Sequence, residues 1–311
     1  MYSTEHLKIA FREPRKIFWE GVSLLNRNIL GRDASPFTER DWDNLLLLDA
    51  CRYDLFEECF RERESFPGEL DHTYSVASTT GEFIRRTFRD QTFPDIVCVT
   101  STPKYTKEES LTGRSMDDVF HEIVHVWKDN WDDEHRVVLP EVMTNRVLEI
   151  AEEYPNKRIF AHYLPPHTPF IGETGQQMPH RYLTPHGGGE DGAPNVWDAL
   201  KRGEYSESRV WRAYKENLEL TLPSVERALY TLDGKTAVTS DHGNAFGKWY
   251  DVGYVGHGAH RHITSLIKVP WLEYQDGNRK TITQGTTDAA SQVDVDETVV
   301  SNRLRDLGYA E

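Results

Sequence analysis

Two hydrophobic rhythms alternate along this chain. Short unbroken apolar runs stop at a polar residue: 45–48 ahead of Asp49, 96–99 ahead of Thr100, 159–161 ahead of His162, and 237–238 ahead of Thr239, Ser240 and Asp241. Such runs are too short for a helix core and read as strands covered on both faces. Between them, apolar residues recur at helical spacing: Phe83, Ile84, Thr87 and Phe88, then residues 141–153, then Tyr214, Leu218, Leu222, Val225 and Leu229. Pro223 predicts a kink or break in the last of these, making residues 196–232 one or two helices. Strand–helix alternation predicts an α/β fold, a mostly parallel central sheet flanked by helices on both faces.

The remaining segments arrange themselves around that frame. Residues 1–40 read as peripheral, with Pro14 opening a helix to about residue 30 whose apolar face carries Ile17, Phe18, Val22 and Leu25. Residues 50–60 read as a helix following the first strand. Residues 174–193 and 275–292 are polar and aperiodic, hence loops, and 294–310 fit a terminal helix. With no repeat and no clear linker, the expected organisation is a peripheral segment (1–40), one catalytic domain (41–273) and an extension packed on it (274–311).

Chemistry collects where the strands end. In an open α/β sheet, ligands sit beyond the carboxyl ends of the strands. There Asp241 and His242 stand side by side, followed by Gly243 and Gly247, so an oxygen and a nitrogen ligand can share one metal ion. The plain alternative is a turn closed by local hydrogen bonds. Asp49 repeats the pattern, with N-cap of the next helix as its structural alternative. Ser78, Thr79 and Thr80 precede a helix, so one of them caps it, and a hydroxyl there sees the positive end of the helix dipole. Pro165, Pro166 and Pro169 stiffen a loop that holds His162 and His167 at a third strand end. His257 stands between glycines, with His260 and His262 close behind.

Asp49 within Leu-Leu-Leu-Leu-Asp-Ala-Cys-Arg-Tyr-Asp, the threonine pair opening a helix and the later Thr-Ser-Asp-His-Gly together resemble the alkaline phosphatase/sulfatase superfamily, over roughly residues 41–273. Within it the chain is most similar to sulfatase-like proteins that carry serine or threonine at the nucleophile position. The resemblance implies an alkaline phosphatase-like three-layer sandwich and a divalent metal (Zn, Mn, Mg or Ca, one or two ions). It implies ligation by Asp49, the nucleophile, Asp241 and His242. It also makes His167 the histidine of an H-x-P segment that contacts the transferred group or a second metal, with His162 the second candidate, and gives His257 to the second site. The family turn reads nucleophile-x-Pro-Ser. Setting Gly81 at the proline position makes Thr79 the nucleophile, with Thr80 second. The implied reaction is hydrolysis or transfer of phosphate or sulfate esters through a covalent threonine, on a small-molecule or glycan- or lipid-linked ester. Sulfatases of the main type need cysteine in a C-x-P-S-R context, which Cys51, Cys59 and Cys98 all lack, so phosphate is favoured.

Composition narrows the partners. With 311 residues, 38% hydrophobic, the chain can bury a sizeable core. Its net charge of -15 argues against nucleic acid or an anionic membrane surface as the default partner. No CxxC spacing, apolar leader or membrane-length run occurs, which points to the cytoplasm. A rival signature remains: His121-Glu122-Ile-Val-His125 fits H-E-x-x-H, the helix-borne zinc pair and base of metalloproteases, although no third ligand follows. A non-catalytic protein with a degenerate site is the other alternative.

Overall fold

The structure is a computed structural model that describes residues 34, 36–107, 113–178, 195–285 and 297–307, with isolated positions between 18 and 25. A seven-stranded sheet runs through it in the order β2-β9-β6-β1-β5-β3-β4. The strands are β1 (Asn44–Leu48), β2 (Glu69–Tyr74), β3 (Phe93–Thr100), β4 (Phe120–His125), β5 (Arg158–Tyr163), β6 (Gly234–Thr239) and β9 (Lys268–Asp276). β1 pairs in parallel with β5 and β6, and β3 in parallel with β4 and β5, while β9 is antiparallel to β2 and β6. A two-stranded hairpin of β7 (Ala245–Phe246) and β8 (Val255–Gly256) stands apart. The fold is α/β with a mostly parallel sheet, as the strand–helix alternation predicts.

The helices are α1 (Tyr53–Arg61), α2 (Thr80–Phe88), α3 (Lys104–Lys107), α4 (Pro140–Glu153), α5 (Glu173–Gln176), α6 (Val196–Lys201), α7 (Glu207–Thr231), α8 (Thr264–Ile267) and α9 (Glu297–Asp306). Because successive strand residues point to opposite faces, the four leucines of β1 divide between two cores. Leu46 and Leu48 join Val97, Val99 and Ile159 under α4 and α7, while Leu45 and Leu47 join Ile96, Cys98 and Phe160 under Phe83, Ile84 and Phe88 of α2. A strand buried on both faces has no polar alternation to display, hence the unbroken run.

Several expectations change. α7 runs through Pro223 without a break. Leu218, Leu222, Val225 and Leu229 stay buried on one face, and that burial outweighs the one backbone hydrogen bond a proline removes. α1 starts at Tyr53 rather than at residue 50, because Ala50 takes a left-handed φ of 58°. The edge strand β2 escapes sequence reading, since in Glu-Leu-Asp-His-Thr-Tyr only Thr73 is buried. Residues 173–176 form the short α5 at the start of the expected 174–193 loop, and positions 179–194 lie outside the described residues. Of the N-terminal helix, Pro14 and Ile17 also lie outside. Trp19 and Val22 pack against Ile263, Leu266 and Ile267, whereas Phe18 and Leu25, expected on the apolar face, are exposed.

The H-E-x-x-H segment is the largest correction. Residues 120–125 form β4 at the sheet edge, paired with β3, not a helix. Along a strand, His121 and His125 stand roughly 13 Å apart, whereas two histidines on one zinc ion each reach it at roughly 2 Å. Glu122 accepts the Tyr154 hydroxyl, and burial pushes the His125 imidazole down to about 3. The segment holds no protease zinc site.

Among the described residues, no helix is long and apolar enough to cross a membrane. The C-terminal extension is tied to the sheet's opposite end: Arg279 bridges Asp41 and Asp43, and Lys280 donates to Asn44.

Candidate metal and nucleophile site

Register brings the strand ends level. Leu47 stands beside both His162 and Thr239, so Asp49 and Asp241 follow β1 and β6 at the same height on adjacent strands. Side-chain oxygens of Asp49 and Asp241 and a ring nitrogen of His242 lie within 4.8 Å of one another, and all three residues are buried. Thr80, also buried, completes the point: its Oγ1 is 3.3 Å from each Asp49 oxygen and 3.3 Å from His242 Nε2.

Each member is held from behind. Asp241 Oδ1 accepts the Ala50 and His242 backbone N–H groups, both at 3.0 Å, while Oδ2 is buried and has no hydrogen-bond partner among the described residues. His242 Nδ1 lies 2.9 Å from the Gly243 carbonyl, which can only accept, so the proton sits on Nδ1 and Nε2 presents its lone pair to the carboxylates. Ser240 Oγ donates to the His242 carbonyl and accepts the Cys51 N–H, and Ser75 donates to the Asp241 carbonyl. The left-handed Ala50 is fixed from both sides, its N–H on Asp241 and its carbonyl under the Tyr214 hydroxyl. Such backbone persists only where its surroundings determine it. Gly243 is required for space: a Cβ there would lie 2.3 Å from the Ser265 carbonyl and 2.8 Å from Arg52 Cγ.

These residues fit a divalent ion. An orphaned carboxylate oxygen, a second carboxylate, an imidazole lone pair and a hydroxyl aimed at one dry point form an oxygen-and-nitrogen donor set suited to a divalent cation.

Two further histidines stand beside this point. The His257 ring is 4.6 Å from that of His242 and 5.3 Å from that of His167. His257 Nδ1 meets Asn244 Oδ1 at 2.7 Å, and His167 Nδ1 meets the Thr168 carbonyl at 2.6 Å, so in both rings Nε2 is the lone-pair nitrogen. Burial lowers the His167 pKa, and burial together with His242 and His167 lowers that of His257 further. His162 contacts Asp49 Oδ2 through Nε2 at 3.3 Å.

The threonine pair divides. Thr79 is the N-cap of α2, its hydroxyl accepting the Glu82 N–H at 3.2 Å, while Thr80, one residue into the helix, reaches the carboxylates. Glu82 is buried and holds this turn against the loop after His257. It accepts the Ser78 N–H and hydroxyl, the His260 N–H, the Arg86 guanidinium, and meets the His260 and His262 rings.

Sequence reading missed the supports. Arg52 binds Asp54 through two bonds and also donates to the Asn244 carbonyl at 2.9 Å. It lies over the rings of Trp211 and Phe246. Tyr105, Asn244 and Tyr214 carry no local motif; only Asn244, three residues beyond Asp241, stood near enough to attract notice.

No protein-family model matches the chain, and no curated protein matches its sequence. Solved structures do. The integral membrane lipooligosaccharide phosphoethanolamine transferase A of Neisseria meningitidis matches with a TM-score of 0.50 at 11% identity, over 74% of this chain and 47% of that one, so this chain spans about half that protein's length. The zinc complex of the C-terminal periplasmic domain of Escherichia coli EptC matches at 0.48 and 11% identity, over 78% and 75% of the two chains. An alkaline phosphatase superfamily protein of Vibrio parahaemolyticus matches at 0.41 and 13%, over 78% and 61%. The fold of this chain is similar to that of the phosphoethanolamine transferase.

Proposed function

We propose that this protein is a metal-dependent transferase or hydrolase of phosphate esters in which Thr80 is the nucleophile. The observation that carries the reading is the Thr80 hydroxyl at the point shared by Asp49, Asp241 and His242. Those four residues would hold a divalent ion, which supplies a lowered hydroxyl pKa and neutralises charge on the transferred group. Acceptors for the hydroxyl's proton stand at 3.3 Å: the two Asp49 oxygens and His242 Nε2. Thr80 Oγ1 attacks phosphorus in line, forming the threonine O–P bond as the bond to the leaving alcohol breaks. Water or an acceptor alcohol then attacks the phosphothreonine and restores the hydroxyl.

Thr80 takes precedence over Thr79 because the latter's hydroxyl is committed to its cap. His167 and His257, kept neutral by burial, suit lone-pair contacts to a second ion better than cationic proton donation. The cysteines support hydroxyl rather than thiol chemistry, since all three are buried and burial raises each thiol pKa. A fold neighbour that is a phosphoethanolamine transferase supports ester-group transfer. The test is metal content by elemental analysis alongside turnover of an aryl phosphate. Wild type is expected to hold zinc, manganese or a similar ion and to turn over, and Asp241→Ala to lose both; metal-free, inactive wild type would overturn the reading.

A further inference from the structure

Four imidazoles surround the Asp49–Asp241 point, and one differs in what lies behind it. His242, His167 and His257 each present Nδ1 to an oxygen that accepts: the Gly243 carbonyl, the Thr168 carbonyl and the Asn244 amide oxygen. Behind His162 stands a phenol. The Tyr105 hydroxyl, on α3, lies 2.9 Å from His162 Nδ1, and both residues are buried. That nitrogen is the hydroxyl's one hydrogen-bond partner among the described residues. A buried hydroxyl gives its proton to the acceptor within reach, and burial pushes the Tyr105 pKa well up, so the phenol keeps that proton. Nδ1 therefore accepts, and the neutral ring carries its own proton on Nε2. That atom lies 3.3 Å from Asp49 Oδ2, short of hydrogen-bond geometry, and has no hydrogen-bond partner among the described residues.

We propose that Tyr105 and His162 are positioning residues that orient the Asp49 carboxylate toward the metal ion, and that His162 does not itself ligate. The inference rests on the metal reading above. A nitrogen bearing a proton has no lone pair for a metal, so His162 acts through the carboxylate it faces. The phenol sets the tautomer, as second-layer partners of metal ligands commonly do. Without the hydroxyl, the ring is released to its other tautomer, which turns a lone pair against the carboxylate.

The experiment measures zinc affinity of the full chain by chelator competition, and the absorption bands of the cobalt-substituted protein, which report the donor set. Tyr105→Phe is expected to weaken zinc binding by about 10–100-fold with the circular dichroism spectrum unchanged. His162→Gln, whose amide N–H can replace the Nε2 donor, is expected to stay within about threefold of wild type and to leave the cobalt bands in place. His162→Ala removes the donor and is expected to weaken binding like Tyr105→Phe. Wild-type affinity in Tyr105→Phe, or a changed cobalt spectrum in His162→Gln, would overturn the proposal while leaving the metal reading intact. A wild-type chain that binds neither zinc nor cobalt would instead sink the metal reading, and this inference with it.

Discussion

Thr80 and His242 face each other across 162 positions of sequence, Oγ1 to Nε2 at 3.3 Å. One opens a helix and the other follows a strand, and the contact exists because β6 and the N-terminus of α2 meet at the same end of the sheet. Separating the two threonines tests it. Thr80→Ala should lower aryl phosphate turnover by roughly 10⁴-fold or more while the fold and bound metal are kept. Thr79→Ala should instead cost about 1 kcal/mol of stability through the lost cap and leave most turnover in place. Paired kinetics and urea unfolding decide between them; reversed outcomes would transfer the nucleophile to Thr79.

Gly243 separates His242 from Asn244 where no side chain fits. Gly243→Ala drives a methyl group against the Ser265 carbonyl and Arg52. The expected cost is roughly 1–3 kcal/mol in urea unfolding, with a weakened metal affinity because His242 must shift. A variant as stable as wild type would show that the loop has slack.

Glu82 should mark the acid limit of the fold. Burial raises its pKa, but His262, the Ser78 N–H, Arg86 and the His260 N–H outweigh burial and hold the carboxyl well below its ordinary 4.5. A carboxylate lowered by folding adds stability that is fully present above its unfolded value and is lost as pH falls. Wild type is thus expected to lose stability between about pH 5 and pH 3 more steeply than Glu82→Gln. Parallel urea midpoints for the two proteins would refute the clasp.

Arg52 joins the loop behind Asp49 to the loop that bears His257, through the Asn244 carbonyl, while Asn244 Oδ1 holds the His257 ring. A lysine cannot bridge Asp54 and Asn244 with a planar fork. Arg52→Lys is therefore expected to cost roughly 2 kcal/mol in urea unfolding and to broaden the His257 ring resonances in NMR. Sharp, unshifted resonances would separate Arg52 from the site.

The sequence by itself determined the sheet's interior and the chemistry at its ends. Unbroken runs such as the four leucines of β1 report burial on both faces, and Asp49, Asp241 and His242 stand where those runs stop, so local order alone places them at one edge. What it left open depends on neighbours distant in the chain. Which of Thr79 and Thr80 faces the carboxylates is a one-residue rotation about the start of α2, fixed only when the Glu82 N–H takes one hydroxyl and Asp49 receives the other. His121 to His125 matched a helical motif, but pairing with β3 made it a strand, because local spacing carries no record of which edge is free to pair. The state of each imidazole was equally hidden: a carbonyl or a phenol behind the ring decides which nitrogen holds the proton, and those partners come from elsewhere in the fold.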